Sequence, residues 1–155
     1  MKEEHNHPKK PRFNTGEYAS AAVATAKANL AYLAAGTVWT HTAPRGEFEI
    51  KGSLLLCDQV VVALHFSCDG SILPRGLHAL KAANDGVYTK IKEQLKNVAG
   101  ELTVLEGAEF RAPEDCWVVP LAHRGRIVAH IRVSADGSRI VEDKRVAAES
   151  AQALS

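Results

Sequence analysis

The clearest hydrophobic pattern in the chain is an alanine-rich stripe near its start. Asn14, with Glu17 three residues later, has the form of a helix capping box, and Gly36 offers a stop. Between them the apolar positions recur at alternating spacings of four and three residues: Ala19, Val23, Ala26, Leu30 and Leu33. The pattern predicts a helix of about 20 residues with one apolar face.

The rest of the chain alternates between strand-like and helical patterns. Asp58-Gln59 predicts a hairpin turn, and the pattern from residue 73 to 98 is helical, with Asn84-Asp85-Gly86 able to divide it into two helices. Runs of β-branched, aromatic and aliphatic residues predict six strands, at 37–42, 47–56, 60–66, 116–122, 126–133 and 139–141.

The hairpin predicted at 116–133 has one apolar and one mixed face if Arg124 and Gly125 form its loop. That loop places position 123 opposite 126 and position 119 opposite 130. One face is then apolar and is expected to join the core: Val118, Pro120, Ala122, Ile127, Ala129, Ile131 and Val133. The other face is mixed: Trp117, Val119, Leu121, His123, Arg126, Val128, His130 and Arg132.

The order of elements predicts an α+β domain. We expect one single antiparallel sheet of five to seven strands, with the N-terminal helix and a central helix packed on it. This layout resembles that of PAS, GAF and profilin-like domains, and the apolar hairpin around Gly125 resembles the closing hairpin of GAF domains, which sense small molecules. The hairpin covers under a fifth of the chain and identifies no family. Residues 1–13 are expected to be a disordered tail, and residues 14–155 one domain.

Composition narrows the classes of partner and compartment. With 155 residues and a formal net charge of +1, the chain has no overall field that attracts nucleic acid or an anionic membrane. No run approaches the ~18 apolar residues of a membrane span, and the polar start lacks the apolar stretch of a secretory signal. The three cysteines predict reduced thiols in a cytoplasmic protein, with Cys57 and Cys116 buried. We expect no nucleic-acid or membrane partner.

The mixed hairpin face is the best candidate for a binding site. The chain lacks the phosphate-loop, dinucleotide-binding, zinc-protease and nucleophile-elbow motifs. Cationic donors beside apolar surface suit a carboxylate or phosphate on an organic ligand, which favours five residues: His123, Arg126, His130, Arg132 and Trp117. The competing interpretation is a sheet face that is solvated or covered by the first helix.

Three weaker groups are also candidates. Arg75 and Gly76 can open a helix whose free N–H groups favour an anion, although an ordinary turn is the simpler interpretation. His65 and Cys68, with His41 within reach, could form a thiolate or zinc site, but odd spacing on a strand separates positions 65 and 68. The tail pair His5 and His7 offers no fixed metal geometry. We therefore predict no metal and no cofactor.

These patterns lead to one preferred function and two alternatives. The preferred function is a non-catalytic cytoplasmic module that binds a small anionic molecule or its own copy. The alternatives are a small enzyme using the His/Arg face, with or without a cysteine, on an anionic substrate, and a structural subunit of a larger assembly. Because Lys27 is the only charged residue from Tyr18 to Gly36, we also predict a homo-oligomer, most simply a dimer, formed through the first helix.

Overall fold

The computed structural model describes residues 15–154, so the predicted tail lies outside the described residues. These residues form three α-helices and seven strands, which confirms the α+β class. In chain order the elements are α1 (Thr15–Asn29), β1 (Ala34–Thr42), β2 (Phe48–Leu56), β3 (Gln59–Phe66), α2 (Asp85–Val98), β4 (Leu102–Val104), β5 (Glu109–Arg111), β6 (Cys116–His123), β7 (Arg126–Ser134) and α3 (Lys144–Leu154).

The first helix is shorter than the stripe predicts. α1 ends at Asn29, a 3-10 turn follows, and β1 has begun by Ala34, where a helix was expected to continue to Gly36. Pairing with β2 decides this, because the Thr37 N–H donates to the Ser53 hydroxyl at 3.0 Å. A Cβ on Gly36 would lie 2.2 Å from the Ser53 hydroxyl oxygen, so the contact requires glycine. Sheet pairing therefore overrides the helix propensity of alanine.

The first sheet has the strand order β1-β2-β3, all antiparallel. Its tight turn lies one residue earlier than predicted, because Leu56 pairs with Gln59 and the loop is Cys57-Asp58. Both loop residues have positive φ, 51° and 68°, as a type I′ hairpin requires. Cys57 is consequently exposed, and the prediction that it is buried was wrong.

The second sheet is built around β6, which pairs with β4, β5 and β7. The Arg124-Gly125 loop and the pairing of His123 with Arg126 are as predicted. A bulge between Leu121 and Ala122 then shifts the register by one residue, so that Pro120 pairs with His130. The prediction that Val119 lies opposite His130 was therefore wrong. The short strands β4 and β5 carry too few residues for a visible pattern, and the sequence did not predict them.

The prediction of one single sheet was wrong: the seven strands divide into a three-stranded and a four-stranded sheet. β3 and β7 are neighbours, but no hydrogen-bonded ladder joins them within the described chain. Two short segments cross from one sheet to the other instead. We call residues 73–75 the first strap and residues 141–143 the second strap.

The first strap joins the end of β3 to the start of β7. The Leu73 N–H donates to the His65 carbonyl at 2.8 Å, and the Arg75 N–H donates to the Ile127 carbonyl at 2.9 Å. The predicted helix from residue 73 was therefore wrong over its first part. α2 begins only at Asp85, where the Asn84 side chain caps it.

The second strap joins the other ends of the same strands. The Val141 N–H donates to the Arg132 carbonyl at 3.0 Å, and the Asp143 N–H donates to the Val60 carbonyl at 2.8 Å. The predicted strand at 139–141 is reduced to a single bridge between Val133 and Ile140 followed by this strap. The straps thus tie β3 and β7 together at both ends, with no ladder between the two strands in the described chain.

The hydrophobic core lies on one face of both sheets. α1 contributes Ala22 and Ala26, and α2 contributes Ile91 and Leu95. The buried strand positions alternate along the chain, as a half-buried sheet requires: Ile50, Leu54, Leu64, Phe66, Val119, Leu121, Ala129, Ile131 and Val133. The opposite face of the first sheet is covered by α3.

Candidate functional site

Polar side chains follow one another across the face of the first sheet that points away from the core. Lys51 on β2 pairs with Trp39 on β1 and with His65 on β3, so these three side chains form one cross-strand row. His41 and Glu49 form the next row. Their neighbours along each strand point into the core, so this face is fixed as the polar one.

α3 covers this polar row and binds it through one carboxylate. Glu149 accepts hydrogen bonds from the Trp39 indole N–H at 3.0 Å and from the Lys51 ammonium at 2.7 Å. Lys51 is only 8% exposed, and its Nζ also lies 3.4 Å from Glu49. Burial by itself would raise the pKa of Glu149, but the hydrogen bonds from Lys51 and Trp39 lower it below its ordinary value.

β7 adds a further cation, Arg132, beside the row. Arg132 donates to Glu114 at 2.7 Å and to Asp143 at 3.0 Å. Asp143 is buried and also caps α3 by accepting from the Val146 N–H at 3.2 Å. The start of α3 is therefore held against β7 through the second strap.

These groups enclose a cavity of about 290 Å³ between the two sheets. Its charged and titratable lining consists of five permanent cations, three histidines and three carboxylates: Lys51, Arg75, Arg111, Arg132, Arg145, His41, His65, His130, Glu49, Asp143 and Glu149. We call this cavity the intersheet cleft. A wider basin of about 920 Å³ lies beyond Arg132 and Asp143, but its five carboxylates outnumber its four cations. The cleft is therefore the better place for an anion.

Two imidazoles in the cleft are kept neutral by their surroundings. Burial and the nearby Arg75, Arg111 and Arg132 lower the pKa of His130 to about 4. Burial and the Lys51 ammonium lower the pKa of His65 to about 4. The His130 Nδ1 is also buried without a hydrogen-bond partner among residues 15–154, which leaves it free to accept from or donate to a ligand.

Two arginines of the cleft lie beyond ion-pair distance of every carboxylate among residues 15–154, although Asp143 still attracts Arg75 electrostatically. Within the described part of the chain, neither Arg75 nor Arg145 forms an ion pair. Partial burial, together with Arg111 and Arg132, lowers the pKa of Arg75, which still leaves it charged at neutral pH. Mutually repelling guanidinium groups with an unpaired member are suited to bind an anion by charge-assisted hydrogen bonds.

The structure brings together two of the five residues predicted for the site. His130 and Arg132 both line the cleft. His123 instead lies near the hairpin loop, 2.9 Å from Glu101, and Arg126 is exposed opposite it. Trp117 is buried in the core, and its indole N–H donates to the Ala135 carbonyl. The bulge shifts the pairing of β6 with β7 by one residue, so the side of β6 that was predicted to carry the site faces the core.

Sequence reasoning missed most of the cleft. The sequence predicts His41, His65 and Arg75 only as parts of separate weak candidates, and it does not predict Lys51, Arg111 or Arg145 as site residues. The alternation of Glu49 and Lys51 with buried neighbours on β2 was a readable sign of a polar sheet face. Cys68 does not line the cleft, and Cys116 is buried with a raised pKa. Across residues 15–154 no cluster of three or more His, Cys, Asp or Glu side chains is arranged to hold a metal ion.

Comparison with known proteins identifies no relative: no protein family, curated protein or solved structure matches this chain. In the described chain, none of the helices combines the length and apolar character needed to span a membrane.

Proposed function

We propose that this protein is a non-catalytic module that binds a small anionic molecule in the intersheet cleft. The observation that carries the proposal is the Arg75 guanidinium in the cleft beside the Nδ1 of His130, neither of which has an ion-pair or hydrogen-bond partner in the part of the chain that the structure describes. A buried polar atom without a partner is uncommon in folded proteins, and a ligand that bonds to it would remove the cost.

The wall of the cleft is organised before any ligand arrives. Lys51 is held by Glu149, and Arg132 is held by Glu114 and Asp143. Side chains that are already fixed lose little conformational entropy on binding, so their charge is available to the ligand at small cost. The volume of about 290 Å³ lies near the lower end of small-molecule pockets, which favours a ligand of metabolite size.

The direct test is calorimetric titration of the full chain with simple anions, using inorganic phosphate and succinate as probes. Arg75→Gln should weaken binding about tenfold or more, since a charge-assisted hydrogen bond is lost. Arg126→Gln is the matched control, because Arg126 is an exposed arginine outside the cleft and should leave affinity unchanged. Equal losses in the two variants, or no binding by either probe, would refute the proposal.

Catalysis in the same cleft is a second candidate, favoured by the imidazoles of His65 and His130 in its lining. A neutral imidazole beside a bound substrate can accept a proton. Native mass spectrometry of the protein from its source can separate the two functions. A retained molecule that is released unchanged after long incubation supports a binding module, and its conversion supports an enzyme.

A further inference from the structure

The two cleft arginines that form no ion pair within the described chain lie in the first strap and shortly after the second strap. Arg75 belongs to the first strap, beside the end of β3 and the start of β7, and Arg145 follows the second strap, beside the other ends of these strands. The strap anchors on β3, His65 and Val60, are five residues apart, which corresponds to about 16 Å along a strand. Both arginines line the cleft, and the straps beside them are attached to opposite ends of β3.

The other permanent cations of the cleft already have carboxylate partners. Lys51 is bound by Glu149 and Glu49. Arg132 is bound by Glu114 and Asp143, and Arg111 lies within 4 Å of carboxylates. A ligand that displaced these pairs would first have to break them, whereas Arg75 and Arg145 form no ion pair among residues 15–154 and can bind without such a loss.

We infer that the ligand of the cleft carries two anionic groups on a short linker, in the manner of a dicarboxylate, with one group held by Arg75 and the other by Arg145. This inference rests on the proposed anion-binding function and specifies the charge pattern of the ligand. A ligand bound at both ends would join the first strap to the start of α3, which follows the second strap, and so hold the two sheets at a fixed distance.

A single anionic centre surrounded by Arg75, Arg111 and Arg132 is the competing arrangement, since all three act on His130. A ligand bound in this way would make no contact with Arg145. It would also have to compete with Glu114 for Arg111 and Arg132. The two-ended arrangement uses Arg75 and Arg145, the cleft cations for which residues 15–154 provide no ion pair.

Calorimetric titration of the full chain with linear dicarboxylates from malonate to adipate tests the inference as a molecular ruler. One chain length should bind at least about tenfold more tightly than the monocarboxylate with the same number of carbons, because only the dianion reaches both arginines. Arg75→Gln and Arg145→Gln should each reduce the best dicarboxylate to the affinity of that monocarboxylate. Lys144→Gln, next to Arg145 but outside the cleft lining, should have no effect.

The outcomes separate this inference from the function on which it rests. If neither carboxylates nor inorganic phosphate bind, the proposed function fails and the inference fails with it. If monocarboxylates or inorganic phosphate bind as tightly as any dicarboxylate, and Arg145→Gln changes nothing, the cleft binds one anionic centre. That result would overturn the two-ended ligand and leave anion binding intact.

Discussion

At the scale of single residues, the cleft histidines show how position decides protonation. His130 is surrounded by Arg75, Arg111 and Arg132, and His65 lies beside Lys51. Each imidazole is partly buried, so its charged form loses hydration and meets like charge at the same time. Both effects act in the same direction and keep the two rings neutral in the folded protein.

This arrangement predicts a loss of stability in mild acid. The folded pKa of about 4 for both His65 and His130 lies below the unfolded value of about 6.5, so the unfolded chain binds protons first as the pH falls. The free energy of unfolding should drop by about 1–3 kcal/mol per histidine between about pH 6.5 and pH 4. Urea denaturation across this range measures the drop.

Glutamine variants of the two histidines provide the control. His65→Gln and His130→Gln should each remove part of the acid sensitivity, and the double variant should remove most of it. A double variant with the same pH dependence as the parent would show that other groups cause the loss.

The hydrogen bonds of Glu149 lead to a second prediction at the residue scale, which concerns the free energy of unfolding. Glu149→Ala removes the partner of the Trp39 indole N–H and one of two carboxylates at the nearly buried Lys51, and should destabilise the protein by about 1–3 kcal/mol. Glu93→Ala is a matched control, because its pair with Lys96 is exposed and should contribute under about 0.5 kcal/mol. Chemical denaturation compares the two, and equal effects would contradict the role assigned to Glu149.

At the scale of elements, the hairpin loops contain side chains in a conformation that favours glycine. Cys57 and Asp58 both have positive φ, and so does Arg124, whereas only the second loop places a glycine at its second position. Non-glycine residues in the left-handed region have a steric cost, which the surrounding strand pairing overcomes.

Asp58→Gly should therefore stabilise the protein by about 0.5–1 kcal/mol, since it removes this cost in a type I′ turn. Gln59→Gly, one residue later and inside β3, should have the opposite sign, because glycine weakens a strand. Thermal unfolding of both variants measures the difference. A destabilising Asp58→Gly would mean that the aspartate side chain stabilises the turn by more than the strain costs.

At the scale of the whole molecule, the structure narrows the predicted self-association surface. Ala22 on α1 is buried by the chain's own core, so it cannot contact a second copy. Between residues 16 and 35 the exposed apolar positions are Ala24, Ala28, Ala31, Tyr32, Ala34 and Ala35. Tyr32 is 73% exposed, which is unusual for a large aromatic side chain on a monomer surface.

Ala28→Glu should dissociate a dimer formed through this surface, because it would bury an unpaired carboxylate. Ala148→Glu, an exposed alanine on α3, is the control and should leave the assembly unchanged. Analytical ultracentrifugation reports the mass of each. If the parent chain sediments as a monomer at micromolar concentration, self-association through α1 is ruled out.

Local patterns determined the parts of this protein whose signal lies within a few residues. The stripe through Val23 and Ala26, the alternation of Ala129, Ile131 and Val133, and the Arg124-Gly125 loop are all found where the sequence predicts them. Each depends on a short-range period or on the allowed backbone angles of two adjacent residues. Such short-range rules do not depend on which strand pairs with the segment.

Only the tertiary structure decided the division into two sheets and the composition of the cleft. The bulge at Leu121 and Ala122 reversed the faces of β6, and the straps at 73–75 and 141–143 took hydrogen bonds that a single sheet would have used between β3 and β7. Arg75 and Arg145 meet in one cavity although 70 positions separate them in the chain. A period of two or 3.6 residues carries no information on contacts at that separation, because they depend on how whole elements pack.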